Sequence, residues 1–102
     1  MTYRHVVVLQ LKPQTSNEQR DRIVTELRAL PGLIPALRAY SVGVDARLRD
    51  DNFDIAIVAD FDDSAGFAQY RDHPEHLRVI KDHIAQHVSA RAAVQHEAAT
   101  LG

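Results

Sequence analysis

The chain has no cysteine and no tryptophan, only four glycines, and no long apolar run. Without cysteine, a disulfide framework, a thiolate nucleophile and a cysteine zinc site are all excluded. No arginine-lysine stripe and no glycine-rich loop of either phosphate-cradling pattern is present, so nucleic acid and nucleotides have nothing to recognise them. The stretch "MTYRHVVVLQLK" falls far short of the roughly 18 apolar residues of a membrane span and lacks a small-residue cleavage pattern, which predicts a cytoplasmic protein with no membrane partner. What remains is ordinary for a globular protein: 102 residues, 45% hydrophobic and 25% charged, with a formal net charge of -2. That length predicts one domain over residues 1–102. A domain so small has a limited core, which association with a partner would supplement.

Alternation in "RHVVVLQLK" places His5, Val7, Leu9 and Leu11 on one face of a strand, with Val6 and Val8 on the other. "TSNEQRDRIVTELRAL" predicts a helix opened by Ser16 and Gln19 as a capping box, striped by Ile23, Val24, Leu27 and Leu30, and ended by Pro31 and Gly32. "LRAYSVGVD" predicts a second strand in which Gly43 marks a bulge or close contact. "FDIAIVADF" predicts a third, with Phe53, Ile55, Ile57, Ala59 and Phe61 facing away from Asp54, Ala56, Val58 and Asp60. A helix beginning in "DDSAGFAQYRD" is interrupted by Pro74 and resumes as "PEHLRVIKDHIAQHV", with proline at the first helical position. The alanine-rich "SARAAVQHEA" is ambiguous and is taken as a fourth strand.

Strand, helix, strand, strand, helix, strand is the order of an α+β, ferredoxin-like βαββαβ fold: a four-stranded antiparallel sheet with both helices on one face. The uncovered face of such a sheet normally meets water, yet Val6, Val8, Ala56 and Val58 make it partly apolar. A second copy, sheet against sheet, covers that patch on both chains at once, which predicts a homodimer.

Four of the six histidines lie in "YRDHPEHLRVIKDHIAQH": His73, His76, His83 and His87. At about 100° per residue, Leu77, Ile80, Ile84 and Val88 form one apolar stripe, and His76, His83 and His87 line its edge. His83 and His87 have the spacing of two metal ligands on one helix, but no third ligand suggests itself, and no metal is expected. His76 sits in the first turn after Pro74, where unpaired backbone N–H groups disfavour the imidazolium and leave a neutral imidazole able to act as a base. Tyr70, across the proline break, could bring a phenol to the same spot as a hydrogen-bond donor for a carbonyl oxygen that gains charge.

These stretches, "YRDHPEHLRVIKDHI" with "RHVVVLQLK" and "LPGLIPALRAYSVGVD", resemble the stress-responsive A/B barrel family, known as Dabb domains, over nearly the whole chain. The resemblance rests on His5 opening the first strand, the Ile34–Pro35 turn and the "HPEH" motif of His73, Pro74 and His76. It implies a two-chain α+β barrel. Its polyketide-cyclising members further imply Tyr70 and His76 as a cofactor-free catalytic pair, His5 as a third polar group, and a substrate pocket at Ile23, Val24, Leu27, Ile57 and His73. On the residues themselves three readings stay open. They are a pocket protein binding a small apolar carbonyl compound, with or without enolate chemistry; a non-catalytic stress-associated dimer; and a relative of the small barrel monooxygenases, which the missing tryptophan disfavours.

Overall fold

The structure, a computed structural model, describes residues 2–99. Its elements are β1 (Thr2–Leu11), α1 (Asn17–Arg28), β2 (Ala39–Val44), β3 (Ile55–Phe61), α2 (Ser64–Asp72), α3 (Pro74–Val79) and β4 (Val88–Ala98). The four strands form one sheet in the order β2-β3-β1-β4, every neighbouring pair antiparallel. This is the α+β ferredoxin-like arrangement.

Local chemistry sets the element ends. Ser16 Oγ accepts from the Gln19 backbone N–H at 3.1 Å while Gln19 Oε1 accepts from the Ser16 N–H at 2.9 Å, closing the capping box at the start of α1. The far end of α1 is tied to β2 by Arg28, whose guanidinium donates to the Val42 carbonyl at 2.7 and 3.1 Å. Asp63 caps α2 through the Gly66 N–H at 2.9 Å. A Cβ on Gly66 would sit 3.3 Å from the Phe61 Cβ, so a residue without a side chain lets α2 lie close on β3. The helices cover the face carrying Val7, Leu9, Ile55, Ile57, Ala59 and Phe61, and together with Ile23, Leu27, Leu30, Ile34 and Val79 these form the buried core. Burying them is the main stabilising contribution, at roughly 25 cal/mol per Å² of apolar surface.

Two expectations fail. The helix after Pro74 does not run on to Val88: α3 ends at Val79 and passes into a π turn over Ile80–Ile84, where the Ala85 N–H reaches back five residues to the Ile80 carbonyl at 2.8 Å. A π turn rotates less per residue than an α-helix, and the stripe does not extend to Val88, which opens β4. Val79, outside that stripe, is wholly buried, whereas Leu77, inside it, is 51% exposed. Gly43 marks neither a bulge nor a close contact, since the β2–β3 register is unbroken and a Cβ there would meet nothing within 4 Å. The ambiguous alanine-rich stretch is a strand, and at 11 residues it is longer than the others described.

The opposite face carries Val6, Val8, Ala56, Val58 and, from β4, Val94, which is 61% exposed. At one end Arg4 clamps Asp60 across the strands at 2.7 and 2.9 Å. Among the described residues no helix is long and apolar enough to cross a membrane.

Candidate active site

Alternation along β1 and the pairing register bring polar groups to one end of the helix-covered face. His5 points inward beside Val7 and Leu9, and its cross-strand neighbour on β4 is Gln95. The last turn of α2 delivers Tyr70, and the proline break folds α3 back so that the His76 ring lies 4.2 Å from the Tyr70 ring, centroid to centroid. Phe67, one turn before Tyr70, stacks at a tilt on His5 at 4.8 Å. His5, Tyr70 and His76 all line one cavity of about 410 Å³, whose remaining wall is mainly apolar: Val7, Leu9, Leu27, Ile57, Leu77, Ile80 and Ile84. A roomier hollow of about 560 Å³ lies on the uncovered face, but its charged groups are Asp45 and Asp51, and Asp45 is already bonded to Asn52 and to the Arg47 N–H.

Hydrogen bonds fix the proton positions. The His76 Nδ1–H donates to the Arg71 carbonyl at 3.0 Å, which leaves Nε2 as the nitrogen able to accept a proton. The Gln95 amide donates to His5 Nδ1 at 2.7 Å, so His5 carries its proton on Nε2. The phenols of Tyr40 and Tyr70 share a hydrogen bond of 3.1 Å. Burial pushes the His5 pKa down to about 4, helped by the positive field of Arg91 and by His76. His76 is lowered too, chiefly by burial, with the Arg71 carbonyl opposing and Arg91 assisting. The direction matches the sequence argument, but burial rather than the helix end leads it. Burial also raises Tyr70 and Tyr40, keeping both as O–H donors at neutral pH. The site therefore pairs neutral imidazoles with intact phenols.

Leu27 and Ile57 border the cavity, while Ile23 and Val24 are buried away from its wall. His73 caps α3, its Nδ1 accepting from the Glu75 N–H at 3.1 Å, and is not in the cavity wall. The π turn carries His83 toward Glu26, Nε2 to Oε1 3.7 Å, and His87 past the helix, where its carbonyl accepts from the Lys12 N–H. Among the described residues no group of three or more His, Asp or Glu could hold a metal ion. Arg91, Gln95, Tyr40 and Phe67 are site residues that the sequence reading did not single out. The signal for the first two was the alternation of polar side chains with alanine in "SARAAVQHEA".

A model of the stress responsive A/B barrel domain, Dabb, matches residues 3–98. The chain belongs to this family. A solved relative, a dimeric ferredoxin-like protein of unknown function from Thermobifida fusca, is 36% identical, with 94% of this chain and 90% of that one covered and a TM-score of 0.86. A Dabb family protein with a ferredoxin-like fold from Mesorhizobium loti is 21% identical, with 99% and 98% covered and a TM-score of 0.78. A hydroxynitrile lyase from Passiflora edulis is 23% identical, with 99% and 97% covered and a TM-score of 0.83. The likeness to these last two is one of fold. No protein of curated function matches.

Proposed function

We propose that this Dabb chain pairs through its uncovered sheet face as a homodimer, and that each cavity binds a small apolar carbonyl compound and moves a proton at the carbon beside the carbonyl. His76 Nε2 takes the proton, the electron pair shifts to the carbonyl oxygen, and the Tyr70 O–H donates to that oxygen as it gains charge. With Tyr40 as donor in the phenol pair, Tyr70 keeps its own proton for the ligand. The Nε2–H of His5 is a second donor in the same cavity. Every group is supplied by the chain, so the step needs no cofactor, as in olivetolic acid cyclase, the plant polyketide cyclase whose histidine-tyrosine pair the sequence resembles. The observation that carries this reading is the neutral His76, held by its rear nitrogen beside Tyr70 in an apolar hollow.

Dimerisation is supported by the apolar, uncovered face and by the Thermobifida fusca relative, which is dimeric. The hydroxynitrile lyase neighbour favours a related step on the same groups, removal of a cyanohydrin O–H proton with release of cyanide.

The test is deuterium uptake from heavy water at the carbons beside the carbonyl of 4-phenyl-2-butanone, followed by proton NMR. Wild-type protein is expected to exchange these hydrogens at least about 100-fold faster than His76→Ala, with Tyr70→Phe in between. Equal rates in all three proteins would remove the proton-transfer reading. Cleavage of mandelonitrile by wild type but not His76→Ala would assign the cyanohydrin step instead.

A further inference from the structure

The cavity wall contains one charge that no group among the described residues answers. Arg71 and Asp72 both border the hollow, and they neutralise each other through two hydrogen bonds of 2.9 Å. His5 and His76 are neutral near pH 7, since both are held below the ordinary imidazole value. Arg91 is left. Register places it on β4 opposite Leu9, on the helix-covered face, where it borders the cavity alongside Leu9 and Ile57. Among the described residues it has no ion-pair partner and no side-chain hydrogen bond, in contrast to Arg4, Arg38, Arg47, Arg71 and Arg78. Its field nonetheless reaches His5, Tyr70 and His76 together.

A guanidinium has five donors in a planar fork that fits a carboxylate with two parallel hydrogen bonds. At a rim bathed in water such a pair is weak, but a ligand filling this hollow would displace water from one side of the fork and strengthen the attraction. Along β4, Arg91 is anchored four residues from Gln95, roughly 13 Å of strand, and its long side chain borders the same cavity as His5, Tyr70 and His76.

We propose that the ligand of this cavity is a monocarboxylate with an apolar body, its carboxylate held by Arg91 and its carbonyl by the His5–Tyr70–His76 end. The proposal rests on the cavity being the ligand site, and it narrows the class from apolar carbonyl compounds to apolar keto acids. Arg91 is a specificity residue, not a catalytic one.

The experiment compares 3-phenylpropanoate with 3-phenylpropanamide, alike in shape and differing in charge. Binding is followed at pH 8 through the imidazole resonances of His5 and His76. Wild-type protein is expected to bind the acid at least tenfold more tightly than the amide. In Arg91→Met that preference disappears, and in Arg91→Lys part of it returns; the His5 resonance reports that each variant is folded. Equal binding of acid and amide by wild type, or a preference that survives Arg91→Met, overturns the carboxylate assignment and leaves the cavity reading standing. If neither compound moves either resonance, both the assignment and the cavity as ligand site fall.

Discussion

The two edge strands of the sheet are used in opposite ways. β2 lies under α1, with Val42 buried, Tyr40 half-buried and the Arg28 guanidinium bonded to its backbone. β4 turns alanine and polar residues to the helix-covered side, and most of its residues are exposed. The helix-covered layer is therefore filled over β2 and opens toward β4, where Val7, Leu9, Ile57 and Arg91 border the cavity. Ala93 stands opposite Val7 on β1 and Arg91 opposite Leu9, so short or long polar side chains occupy places that a tightly packed sheet would give to branched aliphatics.

The largest effect expected from that division is in the filled half. Ile23→Ala should destabilise the fold by about 2–5 kcal/mol, whereas Leu77→Ala at the cavity wall should lose no more than about 1 kcal/mol, both read by denaturant unfolding. Comparable losses at the two positions would show the hollow half to be packed in solution.

Acid sensitivity sharpens the contrast next. His5 has a folded pKa of about 4 against an ordinary 6.5, so between these values the unfolded chain binds a proton that the folded chain refuses. Its stabilising contribution is complete above pH 6.5 and falls as the pH drops toward 4, by about 3 kcal/mol at most. The difference in unfolding free energy between pH 7 and pH 5 should shrink in His5→Gln, and an identical pH profile for the two proteins would contradict the buried neutral imidazole.

The smallest effect concerns the outward side of β4. Val94→Lys replaces an exposed aliphatic with a charge, which should leave the monomer fold within about 0.5 kcal/mol while weakening self-association at least tenfold. Light scattering would show the mass halving at low micromolar concentration. A variant that keeps the wild-type mass would move the contact surface elsewhere.

How much of this was legible follows the same division. The filled half announces itself, because Ile55, Ile57, Ala59 and Phe61 alternate on β3 and the Ser16–Gln19 box marks the start of α1. Tyr70 and His76 could be brought together from the proline break alone, since Pro74 fixes where one helix stops and the next begins. The hollow half was harder to read. No glycine or proline signals the π turn, whose extra residue defeats a helical wheel drawn through it. Arg91 and Gln95 sit in a stretch whose alanines suit a helix as readily as an edge strand, and only pairing with β1 gives them a direction. Tyr40 becomes part of the site through β2 lying beside β3, a long-range pairing that no local pattern encodes.

The bond from His76 Nδ1 to the Arg71 carbonyl bears on handedness. It anchors the imidazole to the end of α2, so the one available lone pair has a fixed bearing relative to the Tyr70 phenol. In the proposed reaction, a flat enolate held by that phenol would regain its proton from one side only. For a ketone whose reacting carbon carries two different substituents, the exchanged product should accumulate as a single mirror-image form, a stereochemical signature that catalysis by free imidazole in solution lacks.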